Sequence, residues 1–149
     1  MSITIRPASL EDAGKIADFQ VAMAWETEEK KLDPQLVNTA VRTVFADTSK
    51  GFYLVGDADG EVVSSLLITY EWSDWRNCDM WYIQSVYVAS QFRGQGAFKK
   101  MYQRVLDLAQ EQGAAYVRLY VEVDNEKAQK AYESLGMKRM PYYMYDVKT

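Results

Sequence analysis

Gln91-Phe92-Arg93-Gly94-Gln95-Gly96-Ala97-Phe98 decides how this chain is read, because it joins a strand-patterned run ending at Val88 to a helix-patterned run beginning near Ala97. Two glycines this close together permit backbone conformations that other residues avoid, and they let a ligand approach the main chain. The first N–H groups of the following helix lack partners inside it and carry the positive end of its dipole. The stretch is patterned either as an anion cradle able to take a pyrophosphate or as a plain turn from strand to helix. Arg93, Lys99, Lys100 and Arg104, with no acidic residue before Asp107, make this segment basic in a chain of net charge −4. That balance suits several phosphates.

Composition bounds the reading further. A length of 149 residues with 48% apolar and 13% aromatic content supports one domain over 1–149 with a substantial core. The acidic balance argues against a nucleic-acid partner and favours a cationic small molecule. A single cysteine, Cys78, leaves no internal disulfide framework and points to a reducing, cytoplasmic setting. Met1-Ser2-Ile3-Thr4-Ile5-Arg6-Pro7 lacks a signal-peptide pattern, and no apolar run reaches the roughly 20 residues of a membrane span. Histidine is absent, which removes Ser-His-Asp and Cys-His nucleophile systems and most metal sites. No metal is expected, and proton chemistry falls to Asp, Glu, Tyr, Lys or water.

Periodicity predicts a short strand over 3–6, a helix capped by Ser9 and running to about Ala24, and a second helix from about Pro34 that stops near Asp47 to Gly51. Phe52 to Val55 and Val62 to Tyr70 read as strands joined by Asp57-Ala58-Asp59-Gly60, whose Asp-Gly step signals an antiparallel hairpin. Trp81 to Val88 is the next strand, and a helix follows the glycine loop until Gly113. Val117 to Val123 is a strand, Asn125 to Leu135 a helix, and the aromatic tail Met137 to Val147 supplies one or two final strands. The order predicts an α+β fold with αβα layering, a mixed, largely antiparallel central sheet flanked by helices.

A P-loop needs Gly-Lys-Ser/Thr after its glycines, and a dinucleotide fingerprint needs a third glycine where Lys99 stands. Neither is present. Gln91-x-x-Gly94-x-Gly96 after Ile83-Gln84-Ser85-Val86-Tyr87-Val88 instead resembles the acyl-coenzyme-A signature, Q/RxxGxG/A, of the GNAT N-acetyltransferase superfamily. A second ordered motif, Asn125-x-x-Ala128-x-x-x-Tyr132 leading to Leu135-Gly136-Met137, is similar to the family's NxxAxxxY segment, with Met137 where Phe is usual. The opening Ile5-Arg6-Pro7-Ala8 and the element order extend the likeness over nearly the whole chain.

The resemblance implies a GNAT-like acyl-CoA N-acyltransferase fold and acetyl-CoA as cofactor. Val86, Tyr87 and Val88 would pair with the pantetheine arm, while Gln91 and the amides of Arg93, Gly94, Gln95, Gly96, Ala97 and Phe98 would hold the pyrophosphate. Asn125, Ala128 and Tyr132 share a helical face. The resemblance makes Asn125 and Ala128 cofactor contacts and Tyr132 the general acid that protonates the departing thiolate. The alternative for Tyr132 is a core aromatic beside Leu135.

Gln84 stands where several relatives carry a glutamate, and glutamine cannot serve as a base. A water path, or one of Glu26, Glu28, Glu29, Glu71 and Glu122, would take that role. Glu26, Glu28, Glu29, Trp72, Tyr82 and Gln84 are candidates for the acceptor wall. Trp25, Trp72, Trp75, Trp81 and Tyr82 either enclose an alkylammonium chain or pack in the sheet. The leading function is N-acetylation of a small amine; the alternatives are a protein or peptide N-acetyltransferase and a non-catalytic acyl-CoA-binding module. The aromatic surplus permits a homodimer.

Overall fold

The structure, a computed structural model, describes residues 2–149. It divides into two compact units, one reaching Leu119 and the other formed by Tyr120–Thr149.

The first unit is built on five strands in the order β1 (Thr4–Pro7), β2 (Phe52–Ala58), β3 (Glu61–Ser73), β4 (Cys78–Val88) and β5 (Val117–Arg118). Neighbouring strands run antiparallel except β4 and β5, which are parallel. The hairpin between β2 and β3 is the tight one its Asp-Gly step demands. Ala58 pairs with Glu61, leaving Asp59 and Gly60 as a two-residue loop with φ of 52° and 90°. Asp57 Oδ1 accepts the Gly60 N–H at 2.7 Å and fixes the turn.

Three helices complete this unit: α1 (Ala13–Glu28), α2 (Pro34–Ala46) and α3 (Ala97–Gln112). Asp33 caps α2 by accepting from Gln35 N at 3.0 Å, with Pro34 at the first helical position. On one face of the sheet, Ile16 and Phe19 of α1 and Val41 of α2 pack with Tyr53 and Val55 of β2. Leu54, between those two strand residues, points to the opposite face and is fully buried as well. On that opposite face Ser64 reaches Met101 of α3. Helices therefore cover both faces, which is the layered α+β arrangement the periodicity predicts.

Gly51, just before β2, has a φ of 146°, and a Cβ there would lie 2.0 Å from the carbonyl oxygen of Ile68. A backbone oxygen inside a strand pair cannot yield. Gly51→Ala is expected to lower stability by about 2–3 kcal/mol in urea unfolding.

The turn before α1 is tied by charge. Arg6 donates to both carboxylate oxygens of Asp12, at 2.8 and 3.1 Å, and to Asp57 at 3.1 Å. Asp12 also accepts from Ser9 N at 2.8 Å. The Arg6 hydrogen bonds hold the buried Asp12 carboxyl below the usual carboxylate range, against the opposing effect of burial. Its contribution is complete above the unfolded pKa of about 4 and is lost as pH falls through the depressed folded value. Asp12→Asn should cost about 1.5–3 kcal/mol at pH 7. Urea midpoints at pH 6 and pH 3 should fall less for the variant than for the parent chain.

The second unit contains α4 (Glu126–Ser134). Two sequence expectations fail at this end of the chain. The strand expected over Val117 to Val123 is only Val117–Arg118, and the tail from Met137 to Val147 forms no strand among the described residues. Strand-forming composition is not sufficient, because a strand exists only through a ladder. β4 offers β5 just the Trp81–Val117 and Tyr82–Arg118 pairs, and the tail residues Tyr142 to Tyr145 are exposed without a partner strand. The helix expected to end near Ala24 instead continues to Glu28 and closes on Glu29 in the left-handed conformation.

Candidate functional site

The first unit positions the glycine loop with two devices. The first is a bulge in β4: Leu67 pairs with Gln84 and Ser65 with Tyr87, so Ser85 and Val86 together face Leu66. Ser85 has a φ of 53°, a conformation that a serine adopts only where the surroundings enforce it. The second device is the short β5 ladder. Beyond Tyr82 the outer edge of β4 has no strand neighbour in this unit, which leaves backbone groups of Ile83 to Tyr87 able to pair with an extended amide-bearing ligand.

After β4 a 3-10 turn over Ser90–Phe92 leads into Gly94 and Gly96, with φ of 76° and 80°. A Cβ built on either glycine meets nothing within 4 Å, so the sign of φ, and not crowding by the protein, requires glycine here. Gly96 is the N-cap of α3, and the first bond of this helix runs from Lys100 N to Gly96 O at 3.1 Å. The amides of Ala97 and Lys99 precede that bond and have no acceptor inside the helix. Gln95 Nε2 donates back to Gln91 O at 3.2 Å and closes the loop. Gly94, Gly96, Ala97 and Lys99, with Val88, Phe92, Arg93 and Phe98, border a cavity of about 170 Å³. The arrangement presents helix-start amides and two cations, Arg93 and Lys99, to an anion.

Arg93 is held from three sides. Its Nε donates to Val88 O at 2.8 Å, its Nη2 donates to Glu26 Oε1 at 2.9 Å, and its guanidinium lies 5.3 Å from the Tyr87 ring centroid. Tyr87 donates its hydroxyl to the other oxygen of Glu26 and packs against Phe19 of α1. Glu26 thus accepts from Tyr87 and from Arg93, and these two bonds hold its carboxyl below the usual range. Burial and the neighbouring carboxylate push the Tyr87 phenol up.

The remaining acceptor-side candidates are dispersed. Gln84 donates to Thr69 Oγ1 at 3.4 Å, Tyr82 is half-buried on β4, and Trp72 is exposed near the end of β3. Glu28 lies 3.7 Å from Lys30, Glu29 closes α1, and Glu71 lies 3.8 Å from Arg118. Trp81 takes the packing role: it is buried, with Phe52 and Tyr70 edge-on to its ring. Trp25 and Trp75 are exposed. Sequence reasoning missed the Ser85 bulge and the Glu26–Arg93 bond. For the bulge, the only signal was the polar pair Gln84-Ser85 interrupting an apolar strand. A bond across 67 residues leaves no local signal.

In the second unit the Asn125 motif begins as a helix cap. Asn125 Oδ1 accepts from Ala128 N at 3.1 Å, so the spacing of these two residues is set first by capping. Gln129 ties the preceding chain down through the carbonyls of Glu122 and Val123. Tyr132 lies one turn beyond Ala128 and is half-buried, and burial raises its phenol above the ordinary value. Gly136, with a φ of 98°, and Met137, whose N–H bonds Tyr132 O, end the helix.

Comparison with known proteins agrees with this layout. The profile of the acetyltransferase (GNAT) family matches residues 17–137. Thialysine N-epsilon-acetyltransferase of Bos taurus is 30% identical over 145 residues, covering 90% of this chain and 83% of the relative. Mycothiol acetyltransferase of Corynebacterium aurimucosum is 30% identical over 118 residues, or 77% of this chain, which spans 39% of the length of that relative. A possible acetyltransferase from Clostridium difficile 630 superposes with a TM-score of 0.94 at 37% identity, covering 100% of this chain and 99% of the other. With a profile match running through both the glycine loop and the Asn125 motif, the chain belongs to the acetyltransferase (GNAT) family.

Proposed function

We propose that this protein transfers the acetyl group of acetyl-CoA to a primary amine of a small cationic acceptor, by direct attack of the neutral amine and with Tyr132 as general acid. The observation that carries the reading is the glycine loop at the start of α3, set beside an open β4 edge. Its residues fit the donor: left-handed Gly94 and Gly96, the helix-start amides and Arg93 suit a diphosphate, and the edge from Ile83 to Tyr87 suits the amides of a pantetheine arm. Acetyl-CoA, the donor used by this family, supplies an activated thioester when bound.

Tyr132 holds its proton at neutral pH, and burial strengthens that hold. It is the donor of that proton to the leaving sulfur and recovers one from the newly acylated nitrogen through solvent. Backbone donors near Val86 polarise the carbonyl. Gln84 cannot act as a base, and Glu26 is a weaker base for being bonded to Arg93 and Tyr87. Water, or one of Glu28, Glu29, Glu71 and Glu122, deprotonates the acceptor.

The thialysine N-epsilon-acetyltransferase relative supports a small amine as acceptor. Steady-state comparison of lysine, thialysine, diamines and polyamines with a peptide bearing a free N-terminus tests the choice. The expected result is a kcat/KM at least about tenfold higher for a small cationic amine, roughly 1.4 kcal/mol of transition-state preference. Preference for the peptide would replace this acceptor class. A homodimer belongs to the same proposal, supported by the exposed apolar side chains of Tyr142, Tyr143, Met144 and Tyr145. Sedimentation at micromolar concentration should give twice the chain mass, and a single-chain mass would remove it.

A further inference from the structure

We propose that Glu26 is an internal competitor for Arg93: its carboxylate bonds the guanidinium and so sets how tightly the glycine loop holds a diphosphate. The inference rests on the donor reading above. Three observations carry it. Arg93 borders the cavity at the glycine loop together with Gly94, Gly96 and Lys99. The residues from Ala89 to Leu106 include no acidic side chain, so the carboxylate that meets this loop comes from elsewhere, from the last turn of α1. Both oxygens of Glu26 are engaged, one by Tyr87 and one by Arg93.

The bond has the character of a displaceable one. The Arg93 and Glu26 side chains are 48% and 38% exposed, a setting in which an ion pair contributes little net stability, so an incoming anion gives up little by breaking it. Arg93 stays in place meanwhile, because its Nε bond to Val88 O and its stacking on Tyr87 do not depend on Glu26. A diphosphate carries more charge than a carboxylate and offers several oxygens to a guanidinium, whereas Glu26 engages Arg93 through one oxygen on Nη2 alone. Glu26 therefore acts on the donor site through Arg93, first by occupying it and then by repelling the anion that replaces it. This is a positioning role, separate from any contact with the acceptor.

Glu26→Gln tests the idea with little disturbance: the amide oxygen still accepts from Tyr87, while the NH2 that replaces the other oxygen cannot accept from Arg93, so the charge and that one bond are lost. Titration calorimetry with CoA, free of any turnover, is expected to show binding tightened by about three- to tenfold at low salt, with the gain shrinking in about 0.5 M salt. Binding of pantetheine, which has no diphosphate, should be unchanged. In an Arg93→Gln background, most of the gain from Glu26→Gln should disappear. Unchanged or weaker CoA binding by Glu26→Gln, or an equal gain for pantetheine, overturns the inference while leaving the donor site standing. Absence of CoA binding by the parent chain overturns the donor reading and this inference together.

Discussion

Tyr132→Phe is expected to lower kcat for acetyl transfer by about 10²- to 10³-fold while leaving CoA affinity within about twofold. Phenylalanine keeps the ring that makes position 132 half-buried on α4 and removes only the hydroxyl and its proton. A packing role would survive that change; a proton donor would not. The pH profile separates the two further. A general acid works in its protonated form, so its contribution is complete below the Tyr132 pKa and is lost as pH rises through it, after the rise in rate with pH that deprotonation of the acceptor amine brings. Burial places that fall above the ordinary tyrosine value of about 10. The variant should lack this alkaline limb. Full rate in Tyr132→Phe at every pH would remove the assignment.

Gly96→Val is the second large effect, expected to raise KM for acetyl-CoA by about 10²-fold. At a φ of 80° a β-branched side chain is strained by about 1–3 kcal/mol, which pulls the loop out of the shape that aims its amides. The added Cβ would meet no protein atom within 4 Å and would extend into open space beside the cavity. Gly113 provides the control. It closes the other end of α3 with a φ of 76° and also has open space around a built Cβ, but it does not border the cavity. Gly113→Val should lower stability by a similar amount and leave KM unchanged, so a rise in KM confined to Gly96→Val identifies the loop as the donor site.

Much of the first unit was legible because its signals are local. The Asp59-Gly60 turn, the Pro34 helix start and the apolar stripe of α3 each dictate conformation within a few residues, and the structure follows them. The glycine loop was legible for the same reason, since Gly94 and Gly96 answer a backbone need that no other residue meets cheaply. What escaped depends on partners distant in sequence. Tyr143 and Tyr145 have strand-forming side chains, yet pattern cannot supply the edge that would pair with them. Glu26 read as a candidate base or acceptor-wall residue, and its bonds to Tyr87 and Arg93 were not legible because those partners lie on another strand and loop. Asn125 read as a ligand contact is also the cap of its own helix, a role its spacing to Ala128 already encoded.

Mass-spectrometric analysis of products after incubation with acetyl-CoA, labelled in the acetyl group, and a mixture of small cationic amines decides whether this protein transfers the group. The expected result is a labelled acetyl group on a primary amine nitrogen of the acceptor, with free CoA released in equal amount. Tight binding of CoA with no acetylated amine under any acceptor would contradict it and make the protein a binding module.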